Sequence, residues 1–399
     1  MALNDFKPQF DNSYQETFQK TIVSKEVGNT RFESVLKYGE SVERVAFDMS
    51  AVRVRATVRG SASTIDAITD TSELLNINIE DEAVFHISDG EVKQAGPLNP
   101  GENIGAQVGL KVAIKFDARF FAEVRNALFD FDNGDLTTTA STGTPITLSS
   151  TTVPQLVARM GAKLKRKNNQ LVTTNMCLVV DAYAASDITQ YMLGKNIDLA
   201  GYTFKNGYTG EVSNATLYTS ENLQGEATLL SAGAFTDTQT ITIGGVVLTT
   251  VTTLGSTAGN VLIGANAAAT ITNLAALINA PTVTTSTGVA LSAADAITIT
   301  DTLGLVATAT SATVLTIVGT GSGRLDLAET QTNASWSTNF IHAYYGKKGA
   351  IDVVIQDMKE VDMRPTADRR GTNVFSSVLG GIKVFADGAK KFLDVLIAA

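Results

Sequence analysis

An α+β fold interrupted by a β-rich module is what this 399-residue chain requires, on three observations. Apolar side chains recur every four residues from Val108 to Leu128, and at helical spacing from Leu156 to Leu164, as helices with one buried face demand. Short unbroken apolar runs at 176–180 and 392–397 have the length and branching of buried strands. Composition also changes abruptly within the chain. The 109 residues from Ala227 to Ser335 hold six charged side chains, 26 threonines and one aromatic ring, Phe235, while the flanks hold the other 65 charges.

In chain order, Phe6, Phe10, Tyr14 and Phe18 form an aromatic stripe at four-residue spacing. Two readings stand: an extended arm packing on a neighbouring surface, or one amphipathic helix docked on its own domain. Next, 52–59 alternates apolar and polar residues, which places Arg53, Arg55 and Arg59 on one face of an expected strand. The expected return strand, 75–80, runs into the acidic group Glu80, Asp81 and Glu82, so the hairpin reads as a solvated or subunit-contacting ribbon.

A long helix is signalled by Asn99 at the cap, Pro100 in the first turn and Glu102 behind it, with Gly134 past its end. Thirty residues would make a rod of about 45 Å. Gly101, Gly105 and Gly109 lower the propensity of its first third, which moves the expected start toward Asp117. A second helix, 154–167, carries Arg159, Lys163, Lys165, Arg166 and Lys167, cations suited to a helix C-terminus. A strand at 176–180, a helix at 182–192 and a strand within 210–222 complete this part.

Within the threonine-rich segment, β-branched runs at 240–243, 296–300 and 313–317 read as strands. Residues 270–279 read as a helix stopped by Pro281. Beyond the segment, strands are expected at 350–355, 374–378, 381–385 and 392–397.

Composition narrows the chemistry. Forty acidic against 31 basic residues, net −9, argue against a protein that coats nucleic acid by charge. One cysteine and two histidines leave little for disulfides or zinc, and no cofactor is expected. Asp130–Asp135 fails as a calcium loop because glycine falls one position early and Ser141 stands where a bidentate glutamate belongs. The glycine-rich stretch Gly319–Arg324 lacks a following helix to present to a phosphate. Cys177 reads as a buried, inert hydrophobe, and His86 and His342 sit in no catalytic motif. No apolar run approaches the roughly 20 residues of a membrane span, and the polar start lacks a secretion signal, so the product is expected in the cytoplasm without a membrane partner.

The succession of arm, hairpin, capped long helix, mixed domain, inserted module and closing strands resembles the Hong Kong 97-type major capsid proteins of tailed bacteriophages, in the variety with an insertion domain. The stretches that carry the resemblance are 210–218 (GEVSNATLY), 348–351 (KGAI) and 380–385 (GGIKVF). It implies an N-terminal arm at 1–45, an extended hairpin loop at 46–95 and a peripheral domain with its spine helix at 96–149. An axial domain at 150–225, an inserted β-rich domain at 226–335 and C-terminal strands at 336–399 complete it. By the same resemblance the chain self-assembles into hexamers and pentamers of a head shell around double-stranded DNA, which it contacts weakly and non-specifically. Portal, scaffolding and head-accessory proteins are the implied partners, and the virion capsid, assembled in the host cytoplasm, is the implied location. Phe6, Phe10, Tyr14, Arg53, Arg55, Arg59, Glu80, Asp81 and Glu82 are the candidate subunit-interface residues. The rival from another class is a surface or tail adhesin displaying residues 227–335 to a receptor; an enzyme built on a carboxylate pair ranks third.

Overall fold

The computed structural model describes residues 3–33, 39–48, 52–56, 65–88, 100–137, 143–168, 174–193, 211–212, 215–358, 362–365 and 370–398. Along the chain, helix α1 (Leu3–Thr21) precedes strands β1 (Ser41–Asp48), β2 (Thr69–Asn76) and β3 (Ile79–Ser88). Helix α2 (Pro100–Ala122) leads to β4 (Phe129–Phe131), α3 (Thr152–Lys167), β5 (Met176–Val180) and α4 (Ala182–Leu193). Strands β6 (Glu211–Val212), β7 (Ala215–Thr219), β8 (Gln224–Ser231), β9 (Gln239–Ile243), β10 (Val246–Val251) and β11 (Asn260–Leu262) follow. After helix α5 (Ala267–Asn279) come β12 (Leu305–Ser311), β13 (Val314–Gly319), β14 (Leu327–Glu329) and β15 (Ala334–Lys347). The chain closes with β16 (Asp352–Met358), β17 (Asp362–Pro365), β18 (Gly371–Lys383) and β19 (Phe392–Ala398). The architecture is α+β, in two compact units: residues 1–20, 28–112 and 351–389 form one, and 21–27, 113–350 and 390–399 the other.

In the first unit, β18 pairs with β3 on one side and with β16 and β17 on the other. It is one strand where the sequence suggested two. Gly380 and Gly381 do not break it, because a side chain at Gly381 would stand 2.3 Å from the Asn76 carbonyl oxygen and only glycine fits. The hairpin ladder is β1 with β2, in register from Ser41↔Asn76 to Asp48↔Thr69. It therefore lies earlier in the chain than the alternation at 52–59 implied, and Glu80 lies within β3 instead of ending the return strand. Leu75 of β2 packs with Val354 and Phe385, which roots the hairpin in this unit.

In the second unit, β15 organises a sheet of order β12-β13-β8-β15-β5-β7-β6, with β19 on its other edge and β4 beyond β19. β13 and β12 belong to the charge-poor segment and β8 (Gln224–Ser231) straddles its start, so the composition boundary falls in mid-sheet. A second sheet, β11-β10-β9-β14, and α5 share an apolar core with these strands, built on Leu229, Ile241, Leu248, Leu274 and Leu315. The expected strand at 296–300 is helical instead: Ala293–Ile297 is an α-helix continued by a π-turn to Thr302. Ser292 caps it through the Asp295 N–H, and Thr298 and Thr300 donate to carbonyls four residues back. The signal was the Ser-x-x-Asp pair ahead of the apolar residues, which outranked β-branching.

Helix α2 starts at Pro100 and keeps its glycine-rich first third; residue 99 lies outside the described residues. The reason is a helix-on-helix contact in the first unit. An added Cβ at Gly101, Gly105 or Gly109 would stand 2.9, 2.6 or 2.6 Å from the carbonyl oxygens of Phe6, Phe10 and Tyr14 respectively. Two four-residue periods, one of rings and one of glycines, thus lie face to face. The rings stack along α1, with centroids 5.9 Å apart for Phe6–Phe10 and 6.0 Å for Phe10–Tyr14. Burial of four aromatic side chains, each worth a few kcal/mol, outweighs the roughly 1 kcal/mol of propensity lost per glycine.

Gly105→Ala and Gly109→Ala are opposing-sign tests. Alanine would raise intrinsic helicity, yet here each methyl meets backbone that cannot rotate away. Each variant is expected to lose about 1–3 kcal/mol in denaturant unfolding; unchanged or higher stability would refute the close contact.

Candidate functional site

The hairpin limb carries six of the exposed large aliphatic residues among those described. Val54 and Ile65 are 104% and 92% exposed, and Ile68, Val45, Leu74 and Val52 are 55%, 51%, 51% and 41% exposed. Scattered single aliphatics are ordinary on a protein surface, but six on one limb mark a place where another surface sits. The alternation at 52–56 sets Val52 and Val54 beside Arg53 and Arg55, and all of these residues are exposed.

The expected interface residues divide. Phe6, Phe10 and Tyr14 are 3%, 0% and 1% exposed within their own chain, so the docked-helix reading describes them and the projecting-arm reading does not. Burial, reinforced by the Asp81 carboxylate, pushes the Tyr14 hydroxyl up to about 12. Asp81 is itself buried at 6% exposure. Arg53 is exposed, and its backbone N–H donates to Asp66 Oδ2 at 2.8 Å. Arg55 pairs with Asp66 Oδ1 at 2.7 Å within the chain. Glu80 and Glu82 are exposed on β3. Arg59 lies outside the described residues.

A buried ionic clasp in the second unit had no local motif to announce it. Three adjacent strands each contribute one group: Glu226 on β8, His342 on β15 and Asp394 on β19. His342 Nδ1 bonds Asp394 Oδ2 at 2.7 Å, and Nε2 stands 3.5 Å from Glu226 Oε2, an ion-pair distance. Arg125 reaches the same Glu226 oxygen at 3.0 Å. Burial lowers the histidine's proton affinity, but the bonds to Asp394 and Glu226 outweigh it and push the pKa up to about 9. Burial pushes the Asp394 carboxyl up, opposed by its bond to His342, and Asp130 adds to the rise. Glu226 ends below the usual range because His342 and Arg125 overcome its burial. An aspartate in the apolar run 392–397 was the one available hint, since a buried carboxylate needs a partner.

The other cations and glycines flagged by the sequence have structural tasks in this unit. Lys163 pairs with Asp135 and Arg159 donates to the Asp135 carbonyl at 3.0 Å, so these two bind the turn after β4 instead of the helix's own end. Asp132 and Asp135 form a reciprocal capping box there. Arg324, at the end of the glycine-rich stretch, pairs with the fully buried Asp181, whose other oxygen caps α4 at Ala184. Burial pushes the Cys177 thiol up to about 12. An open cleft of about 470 Å³ between the starts of α3 and the middle of α4 has Asp187 as the only carboxylate among its described lining residues, so no acid pair meets there. Among the described residues no cluster of three or more metal-ligating side chains occurs, and no helix is long and apolar enough to cross a membrane.

No family model matches the chain, and no curated protein does. Among solved structures it is similar to one of Mycobacterium phage Che8, at 16% identity and TM-score 0.49, over 93% of this chain and 90% of that one. It is similar to the capsid of the Cyanophage P-SCSP1u, at 12% identity and TM-score 0.46, over 90% of this chain and 84% of that one. The capsid of an empty GTA particle is similar at 10% identity and TM-score 0.44, over 95% and 90% of the two chains.

The clasp fixes a pH dependence. A histidine raised from 6.5 to about 9 stabilises the fold fully below pH 6.5, and that contribution is lost as pH rises through 9. Between those limits, denaturant unfolding should show a stability loss on the order of 3 kcal/mol. His342→Gln should be less stable at pH 6 and lack this part of the pH dependence; a variant that retains the full slope would exclude the clasp as its source.

Proposed function

We propose that this chain is the major coat subunit of a tailed-phage head, self-assembling in the host cytoplasm into a closed icosahedral shell around packaged double-stranded DNA, and acting without catalysis of its own. The observation that carries this reading is the hairpin limb with six uncovered aliphatic side chains. Each is worth about 1.5–3 kcal/mol if fully buried, and part of that sum is lost to the entropy of association. Contacts of this modest size form reversibly, which allows a misplaced subunit to leave a growing shell. Repeated over many copies, they still hold the product together.

The charge balance fits the same role. A subunit of net −9 does not adsorb the genome it encloses, so DNA contact stays weak and non-specific. Portal, scaffolding and head-accessory proteins are the partners that such a shell requires. The threonine-rich segment 226–335 is, in this reading, an inserted domain on the shell's outer side. Its sole aromatic ring, Phe235, is 5% exposed, which leaves it none of the exposed rings that a receptor-binding surface relies on.

The purified chain, concentrated and imaged in negative stain, should give closed particles of uniform size. Val54→Asp with Ile65→Asp should abolish them while circular dichroism and the unfolding midpoint stay near the parent's, because neither side chain is buried in its own subunit. Normal particles from the double variant would remove the limb as the driving contact.

A further inference from the structure

The sheet of the second unit presents an outward face on β12, β13, β8 and β15 with an unusual register. Thr308 pairs with Thr316, Thr316 with Thr228, and Thr228 with Thr338, so one row of threonines crosses four adjacent strands. Alternation along the strands places Val306, Val318 and Glu226 in the row beside it, toward the clasp, and Val314 and Leu230 in the row beyond. Val306 and Leu230 are 57% and 44% exposed.

Three properties suit this face to lie against another protein surface. Most of its hydroxyls bond one another: Thr310 Oγ1 bonds Thr316 Oγ1 at 2.7 Å, and Thr228 Oγ1 bonds Ser337 Oγ at 2.8 Å and also Thr338. Removing water from such a row costs far less than desolvating free hydroxyls. Its one charged group, Glu226, is already neutralised from within by Arg125 and His342. The neighbouring strand edge is closed, since the Asn279 side chain donates to the Ala307 carbonyl and accepts from its N–H, both at 2.8 Å. A partner is thereby directed to the face and away from strand addition at β12.

Charge and area select the occupant. Two copies of a chain of net −9 repel over most of their surfaces, and this uncharged field is where that repulsion is least. Four strands and three residue rows cover about 20 by 20 Å, or roughly 400 Å² per copy. That is about half of what one partner contributes to a stable pairwise complex, so the contact is too small to hold a dimer alone and adds only within a larger assembly. We propose that this face meets the same face of a second copy across a two-fold axis. The inference rests on the shell reading and adds to it a specific contact made by the threonine-rich segment.

Charge swapping tests it. Val306→Lys with Thr308→Lys, and separately Val306→Glu with Thr308→Glu, place like charges on both sides of the contact while leaving the core side of β12 intact. Each variant alone should raise the concentration at which particles appear in light scattering by about tenfold at low salt, and an equimolar mixture should return it to near the parent's. Variants that assemble like the parent, or a mixture no better than its components, would overturn this contact and leave the shell reading in place. A parent chain that stays monomeric at every concentration would instead remove the shell reading, and this inference with it.

Discussion

The close approach of α1 to the glycine face of α2 is the constraint on which the rest of the first unit depends. Backbone against backbone at this range requires three residues without a Cβ, at the spacing of the three carbonyls they face. Once that contact forms, Phe6, Phe10, Tyr14 and Phe18 are interior groups, and Phe10 reaches Phe85 of β3 at 5.8 Å between centroids. The sheet edge at β3 is thereby tied to the chain's start. What the stripe of rings cannot then do is clasp a neighbour. The hairpin differs, since its root is buried at Leu75 and its aliphatic residues further out are uncovered.

The second unit solves a different problem, that of joining a charge-poor segment to a host of ordinary composition. It does so by sharing a strand system. β15 leaves the segment, pairs with β8 as far as His342 and continues along β5, while β19 follows its opposite edge. The clasp stands where these pairings overlap, and its position explains its cost. Two carboxylates and an imidazolium are desolvated together, and removing any one would leave an uncompensated charge among strands. The threonine-rich strands can do without ion pairs because their side chains bond one another across the ladder.

Periodicity made the second helix, α5, the five-residue strand at 176–180 and the closing strand legible, since each packs one apolar face or run against the core and needs little from distant residues. The failures share a cause. The glycines of α2 looked like weak points because the surface that requires them is some 95 residues away in sequence. Gly380 and Gly381 looked like a break for the same reason. At 52–59 the alternation was real, yet the ladder formed at 41–48, where β1 finds a partner whose Leu75 reaches the core. The strand expected at 296–300 lost to a cap lying just upstream. Of the candidate site, the exposed aliphatics and the clasp depend on what does and does not come near them in space, which no local pattern carries.

These pieces give one physical account of why the chain's polar and apolar groups are distributed as they are. Several strong interactions among the described residues close within the chain: Asp181 with Arg324, Asp394 with His342, Asp66 with Arg55, Asp132 with its own turn. Such closure leaves these charges satisfied without any second chain. The hairpin and the threonine rows differ from the charged surface around them, being largely apolar or partly bonded among their own hydroxyls. Surfaces of this kind gain free energy only when shape brings them into register, and each gains little. On the proposed shell reading, a subunit built this way holds its own fold firmly and its neighbours weakly, which is the balance that lets many identical contacts correct themselves before they accumulate.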